Sequence, residues 1–473
     1  MFKQVTRQRL FFFLGLIVWV ALSVSAPVFA QQTTPTEPNP PTQLIRPTSI
    51  SRPLPSTSAP TGGAATPTTV VMPGEVAGPV YQAPVGGMRG VLVETVEGQT
   101  LMAESPDQGF NPASAVKLAT ALAAIRNFGA DHRFTTGVWA TGELDRATGT
   151  VKGDLIISGR DPSFHYEHAV MLARELNRMG VRTVTGDLVV APRFTMNFDW
   201  SAQHSGDMLY DTLDATRRPA AAVRAWNEQR ISLGDSQSLQ SVPSVAVMGA
   251  VYVDSVPSNA HMLLVHRSSK LVDVLKVLLC YSNNFMAERI GDQMGGAEGL
   301  RRFLVNEIKL SPAEVQLAST SGLGVNRVTP RAMMKVFRAL RDELAKHKLS
   351  PSDIMPVAGV DPGTLEKRYT SGPSRGSVIA KTGTLIRTDG GASALVGQMH
   401  TRTGDTLLFV IFNQRGNVPR FRENQDALVW QMQSLRGGPA PFDYRPTALA
   451  MRLSDTMQDS ASPARKDEYE PAQ

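Results

Sequence analysis

The sequence predicts a mixed α/β (α+β) protein in which an antiparallel sheet flanked by helices, with a helical subdomain, is interrupted by an inserted mixed β/α domain. Three observations predict it. Strand-like apolar runs close the chain's ordered part at SVIAKTGTL, ASALVGQMH and DTLLFVIFN, following one another closely enough to pair antiparallel. Helical periodicity dominates the segment before them. Between residues 129 and 258 the texture changes to short strands and turns, which marks a separate module.

The elements follow in order. Lys3, Arg7 and Arg9 precede the apolar run Leu10–Val24, and Val28-Phe29-Ala30 supplies small residues for signal-peptidase cleavage. Residues 1–30 are expected to be a signal peptide cut after Ala30, with an uncleaved anchor as the alternative; the run is short of the roughly 20 apolar residues of a bilayer span. Residues 31–84 are dominated by Pro, Thr, Ser and Gln, too poor in large apolar groups to offset chain entropy, and read as an extended linker. Gly90–Ser105 alternates about a central glycine and reads as a hairpin. A helix follows, with Pro112 near its start and Leu118, Leu122 and Ile125 on one face.

The inserted domain, 129–258, shows one evident helix, HAVMLARELNRMG. Residues 85–128 and 259–436 form the main domain, with helices at SKLVDVLKVLLC, NNFMAERIGDQM, GLRRFLVNEIKL, TPRAMMKVFRALRDELAKH and FRENQDALVWQMQSL. The tail, 437–473, lacks a strong period and is expected to be mostly disordered. The chain of 473 residues carries a formal charge of +6, spread rather than blocked. That balance suits an ordinary solvated surface and is compatible with peripheral association with an anionic surface; no nucleic-acid partner is expected. One cysteine forms no internal disulfide.

Three short patterns carry the chemistry. Ser114-Ala-Val-Lys117 opens a helix, where residues i and i+3 share a face, so the amine can reach the hydroxyl, and the free N–H groups of a helix start can meet a developing oxyanion. Lys117 can act as base only if burial or a cationic neighbour depresses its pKa, and Lys381 could be that neighbour. Ser282-Asn-Asn284 pairs a hydroxyl with an amide that could relay a proton and hold a carbonyl. Lys381-Thr-Gly383 lies on a strand, with Lys381 and Gly383 on one side. Glycine there would let a ligand backbone approach, and Thr382 and Thr384 offer hydroxyls to a carboxylate.

The order S-x-x-K, S-x-N, K-T-G resembles the penicillin-binding protein and serine β-lactamase superfamily, whose motifs are S-x-x-K, S-D-N and K-T-G. The contexts resemble the D-alanyl-D-alanine carboxypeptidases of the S13 peptidase family, the penicillin-binding protein 4 type: NPASAVKLATALAAI, GDLIISGRDPSF, HRSSKLVDVLKVLLCYSNNFMAERI, STSGLGVNRVTP, and AKTGTL followed by GASALVGQM. The resemblance implies a penicillin-binding transpeptidase-like fold and an exported serine carboxypeptidase, with endopeptidase activity as an addition. Its substrates would be peptidoglycan stem peptides, and β-lactams would acylate it. It also implies roles: Ser114 as nucleophile, Lys117 as base, Ser282 as proton relay, Asn284 on the substrate amide and on Lys117. Lys381 would set the electrostatics, Thr382, Gly383 and Thr384 would bind substrate, and the N–H groups of Ser114 and Thr384 would form an oxyanion hole. No metal or organic cofactor is implied.

Asn283 stands where Asp is common, and IRTDGG after AKTGTL is expected to reshape the cleft edge. The Ser114–Ser282 interval implies one inserted domain, or a second much reduced. A class A β-lactamase is the nearest rival, but E-x-x-L-N is absent and RELN at Arg174 lies in the wrong interval. A non-catalytic wall-binding protein of the same fold would be expected to lose Ser114 or Lys117. His165 and His168 read as surface histidines rather than metal ligands. In CYSNNFMAERI, Leu271, Leu275 and Leu278 place Cys280 near the end of a buried helix as a packed residue. The family-like continuation NNFMAERI favours Ser282 and Asn284 over a Y-x-N reading at Tyr281 and Asn283.

Overall fold

The computed structural model describes residues 86–232, 234 and 242–460. The expected signal peptide and linker lie outside them, as does the end of the tail. The chain opens with the expected hairpin, β1 (Met88–Thr95) and β2 (Thr100–Glu104), paired antiparallel. A 3-10 turn at Ala113–Val116 leads into α1 (Lys117–Phe128). Every residue of α1 from Lys117 to Ile125 is buried, which its alanines permit by letting neighbouring elements approach on several sides.

The inserted module begins with β3 (Thr135–Ala140), the two-residue strands β4 (Leu144–Asp145) and β5 (Thr150–Val151), and β6 (Leu155–Gly159). It continues through α2 (Tyr166–Arg178), β7 (Thr183–Val184), β8 (Leu188–Val190), α3 (Ala202–Leu213), α4 (Ala220–Ser232), β9 (Ala246–Val247), β10 (Val251–Val253) and β11 (His261–Arg267). Its described residues hold three helices where the sequence showed one. It also runs past residue 258, because β11 pairs antiparallel with β3. The larger sheet has the order β10-β8-β6-β3-β11 with one further strand from the tail; β4, β5, β7 and β9 form a small ladder beside it.

The chain returns to the main domain with α5 (Leu271–Tyr281), α6 (Asn284–Asp292), α7 (Gly296–Asn306), the short pair β12 (Val315–Gln316) and β13 (Arg327–Val328), α8 (Pro330–Lys346) and α9 (Pro351–Ile354). Then come β14 (Val378–Leu385), β15 (Ala392–His400), β16 (Thr406–Gln414) and α10 (Val418–Ser434). The sheet order is β14-β15-β16-β1-β2, antiparallel throughout. β16 reads as an unbroken apolar run because both sheet faces are covered. Leu408, Val410 and Phe412 enter the core shared with α1, α5 and α8, while Leu407, Phe409 and Ile411 join Leu428, Val429 and Met432 of α10. Each such side chain contributes about 1.5–3 kcal/mol by leaving water.

The tail departs from expectation. Residues 438–460 are folded, with α11 (Leu449–Ser454) and β17 (Met457–Ser460), the latter pairing antiparallel with β11. Tyr444 donates to Asp361 at 2.8 Å, and Asp361 pairs at 2.6 Å with Lys276; both members of that pair are fully buried. Arg452–Asp273 and Arg133–Asp455 ion pairs hold the tail further. These anchors are single side chains spread over 23 residues, so they leave no period in the sequence. His165 and His168, expected at the surface, are buried: His168 accepts from the His165 backbone N–H, and its Nε2 lies 3.2 Å from the Leu453 carbonyl oxygen of the tail.

Candidate active site

The three patterns meet at the junction of α1, α5–α6 and β14. Ser114 sits in the 3-10 turn rather than in α1 itself, and Asn111 shapes that turn. The Asn111 Oδ1 accepts from the Ala113 N–H at 3.0 Å, and Ala113 takes the left-handed region at φ 46°. Asn111 is fixed in turn by Asp389 Oδ2 at 2.7 Å, while Asp389 also holds both terminal nitrogens of Arg327. The IRTDGG segment therefore anchors the turn that carries Ser114.

Gly383 explains how the turn lies against the sheet. A Cβ there would stand 2.4 Å from the Pro112 carbonyl oxygen and 3.1 Å from the Ala113 Cβ. Its missing side chain thus makes room for the turn that carries Ser114, where a ligand backbone was expected. Gly322, at φ 87°, allows a similar approach from the other side, since its Cβ would overlap the Ala113 carbonyl.

Lys117 is fully buried, and its Nζ has three oxygen neighbours: Ser114 Oγ at 3.0 Å, Asn284 Oδ1 at 2.7 Å and the Ser321 carbonyl at 2.7 Å. Burial depresses its pKa well below the ordinary lysine value, the Lys381 charge depresses it further, and Glu288 acts in the opposite sense. A neutral amine has two N–H bonds and one lone pair. Asn284 Oδ1 and the Ser321 carbonyl can only accept, so they take both N–H bonds and leave the lone pair for the Ser114 hydroxyl.

Ser282 caps the C-terminus of α5 in the left-handed region, and Asn283 caps α6 by accepting from the Met286 N–H at 2.9 Å. Asn283 is thereby turned to a structural task, and Asn284 is left to Lys117. Lys381 is fully buried and donates to Ser282 Oγ at 2.7 Å and to the Thr382 carbonyl at 2.6 Å. Burial lowers its pKa to about 7. At the end of β14, Thr384 Oγ1 accepts from Arg422 of α10 at 2.8 Å.

Cys280 takes no part. It is buried one residue before the α5 terminus, and burial pushes its thiol up to about 12. Glu175 of RELN lies on α2 and is held there by Arg174 and Arg178. Among the described residues, no group of three or more His, Cys, Asp or Glu side chains is arranged to hold a metal ion.

Four contributors were not singled out from sequence: Ser321 through its carbonyl, Glu288, Asp389 and Arg422. Glu288 accepts from Thr320 Oγ1 at 2.7 Å and from the Ser321 N–H at 2.9 Å, and so fixes the carbonyl facing Lys117. The S-x-N-x-x-A-E continuation was the available signal for Glu288, and Asp389 and Ser321 lie in the quoted stretches IRTDGG and STSGLG without a local mark of their roles; nothing local marks Arg422.

Residues 76–209 and 212–434 match the D-Ala-D-Ala carboxypeptidase 3 (S13) family. The chain belongs to that family. Among its relatives, the D-alanyl-D-alanine carboxypeptidase of Actinomadura sp. strain R39 is 28% identical over 467 residues, covering 78% of this chain and 84% of the relative. Carboxypeptidase Rv3627c of Mycobacterium tuberculosis is 28% identical over 403 residues, covering 78% and 85%. The fold is shared with the penicillin G-acylated predatory endopeptidase Bd3459 of Bdellovibrio bacteriovorus, solved in complex with its immunity protein Bd3460. The TM-score is 0.65 at 21% identity, covering 79% of this S13 chain and all of that one.

Proposed function

We infer that this protein is a serine-type D-Ala-D-Ala carboxypeptidase, acting on peptidoglycan stem peptides through a Ser114 acyl-enzyme and acylated by β-lactams. The observation that carries this reading is the Lys117 amine, buried, depressed in pKa and left with its lone pair toward Ser114 Oγ. Family membership and the carboxypeptidase relatives support the substrate class.

In the proposed reaction the substrate's terminal carboxylate meets Lys381 and the hydroxyls of Thr382 and Thr384. Ser114 Oγ attacks the penultimate D-Ala carbonyl as its proton passes to Lys117, while the N–H groups of Ser114 and Thr384 receive the oxyanion. Asn284 holds the substrate amide. As the C–N bond breaks, a proton reaches the leaving amine through Ser282, which Lys381 supports. Water then hydrolyses the ester. A β-lactam follows the same acylation, but its leaving nitrogen stays tethered, and the sequence carries no E-x-x-L-N glutamate of the class A type to activate water.

The relatives named as endopeptidases favour a second use of the same site on D-amino-acid cross-links. The N-terminal pattern supports export, and a peptidoglycan substrate supports a site of action outside the cytoplasm; the basic balance suits peripheral contact with an anionic surface. Among the described residues, no helix is long and apolar enough to cross a membrane. Labelling of wild type and Ser114→Ala with a fluorescent penicillin, alongside D-alanine release from a muropeptide, tests the reading. The wild type should label and release D-alanine while the variant does neither; equal labelling of both would overturn the assignment.

A further inference from the structure

A cavity of about 460 Å³ lies where the inserted module meets α6 and α7. Arg160 and Arg193 line it from the module, Arg289 lines it from α6, and Gly295 and Gly296 bring the start of α7 to its wall. Thr195 also lines it; the residue is 5% exposed, and its hydroxyl makes no hydrogen bond to any described residue. The Nε atoms of Arg160 and Arg289 are buried without a hydrogen-bond partner.

The charges do not balance. One carboxylate, Asp292, faces three guanidinium groups; it lies 3.4 Å from Arg289, and its side chain is half exposed. Among the described residues neither Arg160 nor Arg193 has a carboxylate within ion-pair distance, and Asp292 only partly offsets the charge on Arg160. The Arg160 and Arg193 charges oppose each other, an arrangement that folding alone does not favour. Arg289 is held in place: it donates to the Trp200 carbonyl at 3.3 Å and stacks over the rings of Trp200 and Phe285. The first turn of α7 has no side-chain cap, so its backbone N–H groups add to the positive wall.

We propose that this cavity is a phosphate-binding site, taking the phosphate group of an ester carried by a wall polymer or a lipid headgroup. Planar guanidinium donors, a hydroxyl and a helix start together match an oxyanion bearing several acceptor oxygens and more than one charge. A single carboxylate would leave part of that donor set unused. The ligand would bridge the two domains at α6, the helix that also carries Asn284 and Glu288, and so would tie the inserted module to the catalytic half. This site stands independently of the carboxypeptidase reading, because binding is measured without substrate.

The test uses the full chain and the double variant Arg160→Gln/Arg193→Gln, with Arg193→Gln alone as the exposed, fold-safe control. Inorganic phosphate should raise the wild-type melting temperature by about 2 °C or more at saturation, beyond chloride or acetate at matched ionic strength. Binding followed by calorimetry should weaken about ten-fold or more in the double variant, and measurably in the single one, with penicillin labelling without phosphate unchanged. Two further arms separate the sources. Co-sedimentation with phosphatidylglycerol vesicles, lost in the variant, assigns a lipid headgroup; a response to glycerol 3-phosphate without vesicle binding assigns a wall polymer. Equal responses to phosphate and acetate, or a phosphate response that survives in both variants, would overturn the proposal.

Discussion

Replacing Gly383 by alanine tests how the site is assembled, because the effect follows from three distances. The new Cβ would lie 2.4 Å from the Pro112 carbonyl oxygen, 2.9 Å from the Ala394 Cβ and 3.1 Å from the Ala113 Cβ, against ordinary contact from 3.4 Å. The first contact alone demands a retreat of about 1 Å between β14 and the turn. Neither side is a flexible side-chain end: Pro112 and Ala113 directly precede Ser114, and Ala394 is fixed in β15. Ser114 and Lys117 would move together, since the 3-10 turn that carries Ser114 runs directly into α1 at Lys117, but both would move away from Thr382, Thr384 and the Lys381–Ser282 pair. A misplacement of about 1 Å lowers reactivity on the order of 100-fold. Overpacking should also cost about 1–3 kcal/mol of stability. The assay is the second-order rate of acylation by a fluorescent penicillin, with denaturant melts of both proteins. Acylation within about three-fold of wild type in a folded variant would refute the reasoning.

Other consequences follow from the site's electrostatics and buried pairs. Lys381, lowered to about 7 by burial, is charged below that pH and neutral above it, so kcat/KM for a carboxylate-ended peptide should fall as pH rises through about 7. Lys117 sets the acid limb, because protonation there removes the base; a pH–rate profile still climbing from pH 7 to 9 would contradict the Lys381 assignment. Glu288→Gln removes the charge that raises the Lys117 pKa, so the acid limb should move to lower pH, while a move upward would exclude this role. Cys280→Ala should leave penicillin labelling nearly intact, and the native protein should resist iodoacetamide, given a buried thiol pushed up to about 12. Asp361→Ala strands the buried Lys276 ammonium and should cost about 3–5 kcal/mol in urea melts.

The legible parts of this molecule were those with a local period or a local chemical reason. The β14–β16 strands and helices α1, α5, α6, α7, α8 and α10 each show their buried faces in sequence, and each of the three patterns is a short contiguous stretch, K-T-G within β14 and the other two across the joints between adjoining elements. What escaped depends on distant partners. Asp389 matters because it reaches Asn111, 278 positions away, and Ser321 because its backbone carbonyl, which has no sequence signature, faces Lys117. Gly383 was read as a place where a ligand backbone comes close, and only the tertiary arrangement reveals that the group against it is Pro112. β17 is four residues long, MQDS, and becomes a strand only because β11 offers an edge.

That last strand has a consequence for biogenesis. The sheet of the inserted module begins at residue 135 and is completed by residues 457–460, so its edge stays open until synthesis has passed residue 460. The module therefore cannot reach its final form as an autonomous early unit, and a partner binding the open β11 edge would compete with the chain's own end. A boundary drawn at 436 would release an incomplete sheet and uncover the buried histidines beneath it.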